Sequence, residues 1–335
     1  MSIVKKVTIQ DIAQKADVSI STVSRVLNGR VAVAEAKKTA VLKAVKDLGY
    51  RPNVFAQSLA SGQSMTIGIL TQEIRSMYYD ELLHHILQEL RDTSYSAIIA
   101  DGHWQVAKGM QALNTLLDRQ VDGLILIGGS IPEQELIRIN QTLPLIIAGR
   151  HVPGLANQCV YIDNFSGAYK ATKYLIDLGH RHIAHITGKL SQIDAIERCN
   201  GYKHALEESG IVVDENLIIE GHFHEQSGLM AVEMLLTRAN MFTAIFCGND
   251  QMAYGAKLAL FRRGIRVPDD ISLIGFDDQS MSAYTIPPLT TMRQPAGQLG
   301  RAAAHAILNL MKNEPFEIRP FEARMIVRES TSWHR

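Results

Sequence analysis

Read as a pattern of apolar and polar positions, the chain opens with a short helical stripe. Ile9, Ile12, Ala13 and Ala16 fall at i, i+3, i+4 and i+7, and Thr8 is placed to cap them. Asp17 and Val18 interrupt the stripe, and Ser19 can cap a second helix in which Val23, Val26 and Leu27 share one face. The opposite face presents Ile20, Ser21, Thr22, Ser24, Arg25 and Asn28. Two such helices cannot bury their stripes alone. A third follows at about 35–48, carrying Val41, Ala44, Val45 and Leu48 at helical spacing. Pro52 then fixes a turn, Asn53 can cap a short helix with Phe55, Ala56, Leu59 and Ala60, and Gly62 ends it. At that length a helix is not stable in water by itself, so it reads as a conditional helix in a linker.

From residue 65 onward apolar runs alternate with amphipathic ones. Strands over 65–70, 95–100, 121–128 and 143–149 alternate with helices over 79–90, 107–117 and 133–139. The pattern restarts with a strand at 159–163. Helices over 167–178, 198–208, 228–237 and 252–263 then alternate with strands over 182–188, 217–220, 243–248 and 271–276. Continuous apolar strands separated by helices predict an α/β body of parallel sheets covered on both faces. Two rounds of the pattern predict two doubly wound lobes. Ligands in such folds sit at the carboxyl ends of the strands, so two facing lobes make a cleft for a small molecule.

Charge changes the picture of the first three helices. The 335 residues hold 34 Lys and Arg against 34 Asp and Glu. Residues 1–62 carry ten basic and four acidic side chains, however, and the remainder 24 basic and 30 acidic. A zero total hides a basic head on an acidic body, and a basic head favours phosphate contacts. A helix leading with short hydroxyls and one arginine suits the DNA major groove, where Arg reads guanine and hydroxyls read bases or phosphates. The plainer reading, a helix pair at one end of a globular core with a solvated Ser/Thr surface, leaves the charge partition unexplained. Apolar content of 46% with 20% charged residues describes a globular chain. No apolar run approaches the ~20 residues needed to span a bilayer, and MSIVKKVTIQ lacks the long apolar segment of a signal peptide. Cys159, Cys199 and Cys247 are widely spaced, as expected of reduced thiols, so a cytoplasmic protein without membrane contact is expected.

Several polar residues fall at or just after predicted strand ends. They are Arg150, Asp163, Asn249 with Asp250, and Asp277 with Asp278, while Arg198 is read as opening its helix. Helix capping or surface charge explains any one of them alone; together they suit the hydroxyls of a polar ligand. His180, His182 and His185, and His222 with His224, invite a metal reading, but no Cys or carboxylate cluster accompanies them, so no metal and no cofactor are expected. No GxGxxG, phosphate loop, GxSxG, HExxH or pair of catalytic carboxylates occurs, so an enzyme is not expected. A sugar-modifying enzyme would need a nucleophile or metal. A periplasmic sugar-binding protein would share the lobes but need a signal peptide and lack the basic head.

ADVSISTVSRVLNG followed by GYRPN and AQSLA resembles the head and hinge of the LacI/GalR family of bacterial repressors. GHRHIAHITG, RCNGY, GNDQMAYGA, GIRVPDDISLIGFDD and LTTMRQP agree with it in order over nearly the whole chain, and GRHVPG with CVYIDNFSGA is most similar to the galactose-repressor branch. The resemblance implies a helix-turn-helix DNA-binding domain over 1–50, a hinge helix and linker over 51–64, and a two-lobed, periplasmic-binding-protein-like effector-binding and dimerisation domain over 65–335. It implies that Ile20, Ser21 and Arg25 read bases and that Ser19, Thr22, Ser24 and Asn28 contact phosphates or bases. Thr8, Asn53 and Ala56 join the DNA-binding set, and Leu59 is the hinge leucine that wedges into the minor groove. For the effector it implies Arg198, Asn249 and Asp277, with Tyr78 at an aromatic position; Arg150, Asp163 and Phe223 complete the candidate set. Ala34 and Lys37 depart from the usual Ser and Thr of the third helix, and RSMYY from the usual aromatic motif. No heptad-patterned segment follows MIVRES, so a homodimer is expected, bound to an approximately palindromic double-stranded operator. A transcriptional repressor of a sugar-utilisation operon, released by a small sugar, is the expected function. A corepressor-dependent regulator binding a nucleobase or nucleoside, or a sugar-binding protein without a DNA role, is the alternative.

Overall fold

The computed structural model describes residues 7–28, 33–50, 62–74, 76–238 and 241–334, the side chain of Asn28 excepted. It divides into two compact units, Met1–Ser64 and Met65–Arg335. In the first, α1 (Ile9–Ala16), α2 (Ile20–Asn28) and α3 (Glu35–Leu48) pool their stripes in a core of Ile12, Ala13, Val23, Val41 and Ala44. Thr8 caps α1 in a reciprocal box: its hydroxyl accepts from the Asp11 amide at 3.4 Å, and its own amide donates to Asp11 Oδ2 at 2.8 Å. Ser19 begins α2, its Oγ accepting from the Thr22 amide at 3.2 Å. Ala34 offers α3 no side-chain cap. The hinge positions Asn53, Ala56 and Leu59 lie outside the described residues.

The second unit holds two sheets, parallel throughout except for one antiparallel edge strand in the second. The first runs β2 (Ser96–Asp101), β1 (Thr66–Thr71), β3 (Gly123–Ile127), β4 (Leu145–Ala148), β5 (Cys159–Val160). One face is covered by α4 (Met77–Leu90) through Leu82, Ile86 and Leu90, the other by α5 (Val106–Asp118) and α6 (Glu133–Asn140) through Leu113, Leu116 and Leu136. The second sheet runs β11 (Arg324–Ile326), β10 (Thr290–Arg293), β9 (Ser272–Asp277), β8 (Ala244–Cys247), β6 (Ile183–Thr187), β7 (Ile218–Glu220). Its faces are covered by α7 (Asn164–Asp177) with α8 (Ile193–Glu208), and by α9 (Glu225–Thr237) with α10 (Asp250–Arg262). No helix among the described residues is long and apolar enough to cross a membrane.

Three expectations are corrected. The strand read as opening the second lobe is the last of the first: Cys159 and Val160 pair in parallel with Ile147 and Ala148. Helix α11 (Ala296–Met311) follows the second lobe's β10 but buries Leu299, Ala303 and Ile307 against α4 and the first sheet. The chain then returns through Phe321, whose amide donates to the Tyr161 carbonyl at 2.9 Å and whose carbonyl accepts from the Asp163 amide at 3.0 Å, to lay β11 antiparallel on β10. The lobes are thus interwoven, crossed three times, and not two consecutive rounds. Finally, α8 begins five residues before Arg198, which lies inside the helix and does not open it.

The histidines divide by environment. His180 is buried and bonds Thr243 and Ser272 at 2.8 and 3.1 Å, and burial lowers its pKa. His185 is stacked between Tyr202 and Phe246, and burial pushes its pKa down to about 4, so it is neutral near pH 7.

Candidate functional site

Two sites emerge, one on each unit. On α2, Ile20, Ser21, Ser24 and Arg25 fall one helical turn apart in pairs and so share a face. Ile20 is 47% exposed, an isoleucine left out of the head's core. Ser21 and Arg25 are exposed, and Thr22 and Ser24 half-buried. Ser19 Oγ lies 2.8 Å from Ser21 Oγ and 2.9 Å from Thr22 Oγ1, which gathers three hydroxyls at the amino end of the helix, where its backbone amides also point outward. Thr8 is exposed but its hydroxyl is engaged with Asp11. Lys37 stands exposed on the first turn of α3.

In the second unit a cavity of about 470 Å³ lies between the lobes. Its walls come from the carboxyl ends of parallel strands and the turns after them, where helix amino termini converge. The first lobe contributes Gln72 after β1, Tyr78 and Tyr79 at the start of α4, and Trp104 after β2. The second contributes Gln192, Asp194 and Arg198 around the start of α8, Phe223 after β7, Asn249 after β8 and Asp277 at the end of β9.

Arg198 is the centre of this wall. Only 5% of it is exposed, and a buried cation needs partners. Its Nε donates to Asn164 Oδ1 at 2.9 Å, its Nη1 donates to the Gly248 carbonyl, and its guanidinium lies 3.9 Å from the centroid of Phe276. Nη1 also stands 4.0 Å from Asp277 Oδ1. Asp277 sits at φ 114°, a backbone region that side chains rarely adopt, and Gln294 donates to its Oδ1. Burial outweighs Arg198 and lifts the Asp277 carboxyl to about pKa 6. The site therefore offers a fixed fork of donors beside a fixed acceptor. Tyr78 and Gln192 line the same cavity, while the Tyr78 hydroxyl and Gln192 Oε1 are themselves buried without a hydrogen-bond partner among the described residues.

Of the effector candidates, the cavity unites Tyr78, Arg198, Phe223, Asn249 and Asp277. It does not include Arg150, whose Nη1 donates to the carbonyls of Gly129 and Ile131 at 2.8 and 3.0 Å. Nor does it include Asp163, which is exposed and caps α7 by accepting from the Ser166 amide at 2.8 Å. The side chain that reaches the cleft is its neighbour, Asn164. Reasoning from sequence also missed Tyr79, Trp104, Gln192 and Asp194. A tryptophan in a polar turn just past a strand was a signal available for Trp104. Gln192 and Asp194 were hidden by starting α8 too late.

A helix-turn-helix head joined to a two-lobed body with a polar interlobe cleft defines a ligand-responsive DNA-binding protein. Comparison with known proteins agrees. Residues 8–53 match the model for bacterial regulatory proteins of the lacI family, and residues 172–331 that for a periplasmic binding protein-like domain. The chain is 36% identical to the ribose operon repressor of Haemophilus influenzae, over 96% of this chain and 98% of that protein. It is equally, 36%, identical to the transcriptional regulator GalR of Escherichia coli K12, over 97% and 96%, so identity singles out neither branch. A structure of the Lac repressor dimer bound to operator and the anti-inducer ONPF superposes with a TM-score of 0.89 at 29% identity, covering 98% of this chain and 100% of that one. The chain belongs to the lacI family of bacterial regulatory proteins. It is a DNA-binding regulator of transcription and not an enzyme.

Proposed function

We propose that this regulator represses sugar-utilisation genes as a homodimer, that its cleft binds a mono- or disaccharide, and that the sugar releases it from an approximately palindromic operator. The observation that carries the ligand class is Arg198 opposed to Asp277. Sugar hydroxyls donate and accept at once, so adjacent hydroxyls satisfy a carboxylate and a guanidinium together. Aromatic rings on both walls suit the apolar faces of a pyranose. The names of the ribose operon repressor and GalR fit this reading.

Residues 1–50 then bind DNA, with Ile20, Ser21 and Arg25 at base edges and Ser19, Thr22, Ser24 and Asn28 at phosphates or bases. Residues 51–64 act as the hinge, and 65–335 bind effector and dimerise. Because Tyr78 stands on one lobe and Arg198 on the other, a ligand touching both favours one arrangement of the lobes. A protein acting on operator DNA works in the cytoplasm, at the nucleoid.

A thermal-shift screen of sugars, phosphosugars and nucleobases on wild type and Asp277→Ala tests this reading, since a ligand bound to the folded state raises the melting temperature. A sugar should raise it, fail to do so in Asp277→Ala, and dissociate the wild-type protein from operator in a mobility-shift assay. Stabilisation by a purine and by no sugar would overturn the ligand class.

A further inference from the structure

Trp104 is held in the cleft by a backbone that resists the position. His103 and Trp104 both adopt left-handed conformations, φ 50° and 53°, which non-glycine residues enter only at an energetic cost. Asp101 fixes the turn: its Oδ1 accepts from the His103 amide at 2.9 Å and its Oδ2 from the Ile74 amide at 3.3 Å, tying the turn after β2 to the one after β1. The apolar core is not the reason for this arrangement. Among the described residues Trp104 joins no core cluster and stays half-exposed at the cavity wall. Its ring instead continues a row. The centroid of Tyr79 lies 5.6 Å from that of Trp104 and 5.2 Å from that of Tyr78, and Tyr78 lies in the electrostatic reach of Asp277 and Arg198.

We propose that Trp104 and Tyr79 form a second sugar subsite beyond the one at Arg198 and Asp277, so that the effector is a disaccharide spanning both. The inference rests on the sugar reading and extends it. A pyranose presents C–H faces that stack on aromatic rings and a rim of hydroxyls that needs polar partners. Gln72, Glu73, Gln105 and Lys108 supply such partners in the same cavity as the Trp104 ring.

Trp104 and Trp333 are the two tryptophans of the chain, and Trp333 is 71% exposed and outside the cavity. In a Trp333→Phe variant, intrinsic fluorescence therefore reports Trp104 alone. This variant is titrated with a panel of disaccharides and their component monosaccharides, with calorimetry in parallel on wild type, Trp104→Ala and Trp104→Tyr. One disaccharide should bind on the order of tenfold or more tighter than either component and change the Trp104 emission. Trp104→Ala should remove that advantage, bringing disaccharide affinity down toward that of the components, and Trp104→Tyr should restore most of it. A monosaccharide that binds as tightly as any disaccharide, with unchanged emission, overturns the outer subsite and leaves the sugar reading standing. Binding of a purine and of no sugar overturns both. The emission measurement decides the matter even if Trp104→Ala fails to fold.

Discussion

The amide nitrogen of Asn249 donates to the carbonyl of Phe223 at 2.9 Å while its oxygen accepts from the Met252 amide at 2.9 Å. One side chain thus caps α10 and fastens Phe223 in its left-handed conformation, φ 62°. Asn249 acts on the cleft through Phe223 as well as at its surface. Asn249→Asp separates the two duties, because Asp caps a helix about as well as Asn but cannot donate to a carbonyl. We expect a melting temperature lowered by no more than about 2–4 °C, the loss of roughly one hydrogen bond, and sugar affinity lowered about tenfold. Calorimetry beside a melting curve checks both, and unchanged affinity would show that Phe223 needs no such anchor.

Gly188 keeps Phe223 in place by having no side chain. A Cβ there would fall within the Phe223 ring. Gly188→Ala should displace that ring and weaken effector binding by about 1–3 kcal/mol, the range for overpacking a fitted site. Operator affinity without sugar should be retained. Parallel measurement of the two affinities separates this outcome from general unfolding.

Effector affinity should depend on pH through Asp277. Its carboxyl titrates near 6 in the folded protein, above the ordinary carboxylate value, and the charged form is the better acceptor for hydroxyls. Affinity should therefore be full above about pH 7 and fall as pH drops through 6, by at most about tenfold per unit. In Asp277→Asn this dependence should vanish along with much of the affinity. A flat calorimetric profile in wild type between pH 5 and 8 contradicts the assignment.

Asp250 makes the opposite kind of contribution, to stability. It accepts from the Gln279 amide and from the hydroxyls of Ser282 and Thr291, yet burial and then Asp277 push its pKa up to about 8. The folded state binds the proton more tightly than the unfolded chain, so between about pH 4 and 8 this group favours folding less as pH rises. The cost is fully present above 8. Melting curves of wild type and Asp250→Asn across this range should differ in slope, the wild type losing more on going from pH 6 to 8.

At the head, Arg25→Ala should cost about 1–3 kcal/mol on operator and relax base choice at one position in each half-site. Lys37→Ala should weaken all sequences alike and flatten the salt dependence. Competition assays with base-substituted operators distinguish the two. Equal loss on random DNA for Arg25→Ala would make it a phosphate contact. Sites selected from random DNA should be palindromic, as two heads on a two-fold dimer require.

Periodicity was enough to find the three head helices and most elements up to β9, because each buries a stripe of its own. It was blind to how the lobes share the chain. Nothing local to Cys159–Val160 says which sheet the strand joins, and Ala296–Met311 lies past the last predicted element, with its partner α4 more than two hundred residues earlier. The cleft was legible where a residue sits at a strand end, as Asp277 and Asn249 do. Strand ends also recruit polar residues for other reasons, as the bonds of Arg150 and Asp163 illustrate. One binds carbonyls of its own lobe and the other starts a helix. Trp104 and Tyr79 were missed because their placement depends on turns whose conformations no period encodes.

The interweaving has a consequence for how the protein is made. The first sheet begins at Thr66, but one of its faces is only partly covered, by α4, until Ala296–Met311 can dock beside it. A nascent chain emerging from the ribosome thus carries an incomplete first lobe through the synthesis of nearly the whole second one, with apolar residues such as Ile67 and Ile86 short of their cover. The second lobe likewise awaits its edge strand Arg324–Ile326. Neither half can be cut out as a contiguous gene fragment, and a nonsense codon anywhere before residue 296 leaves both lobes unfinished at once.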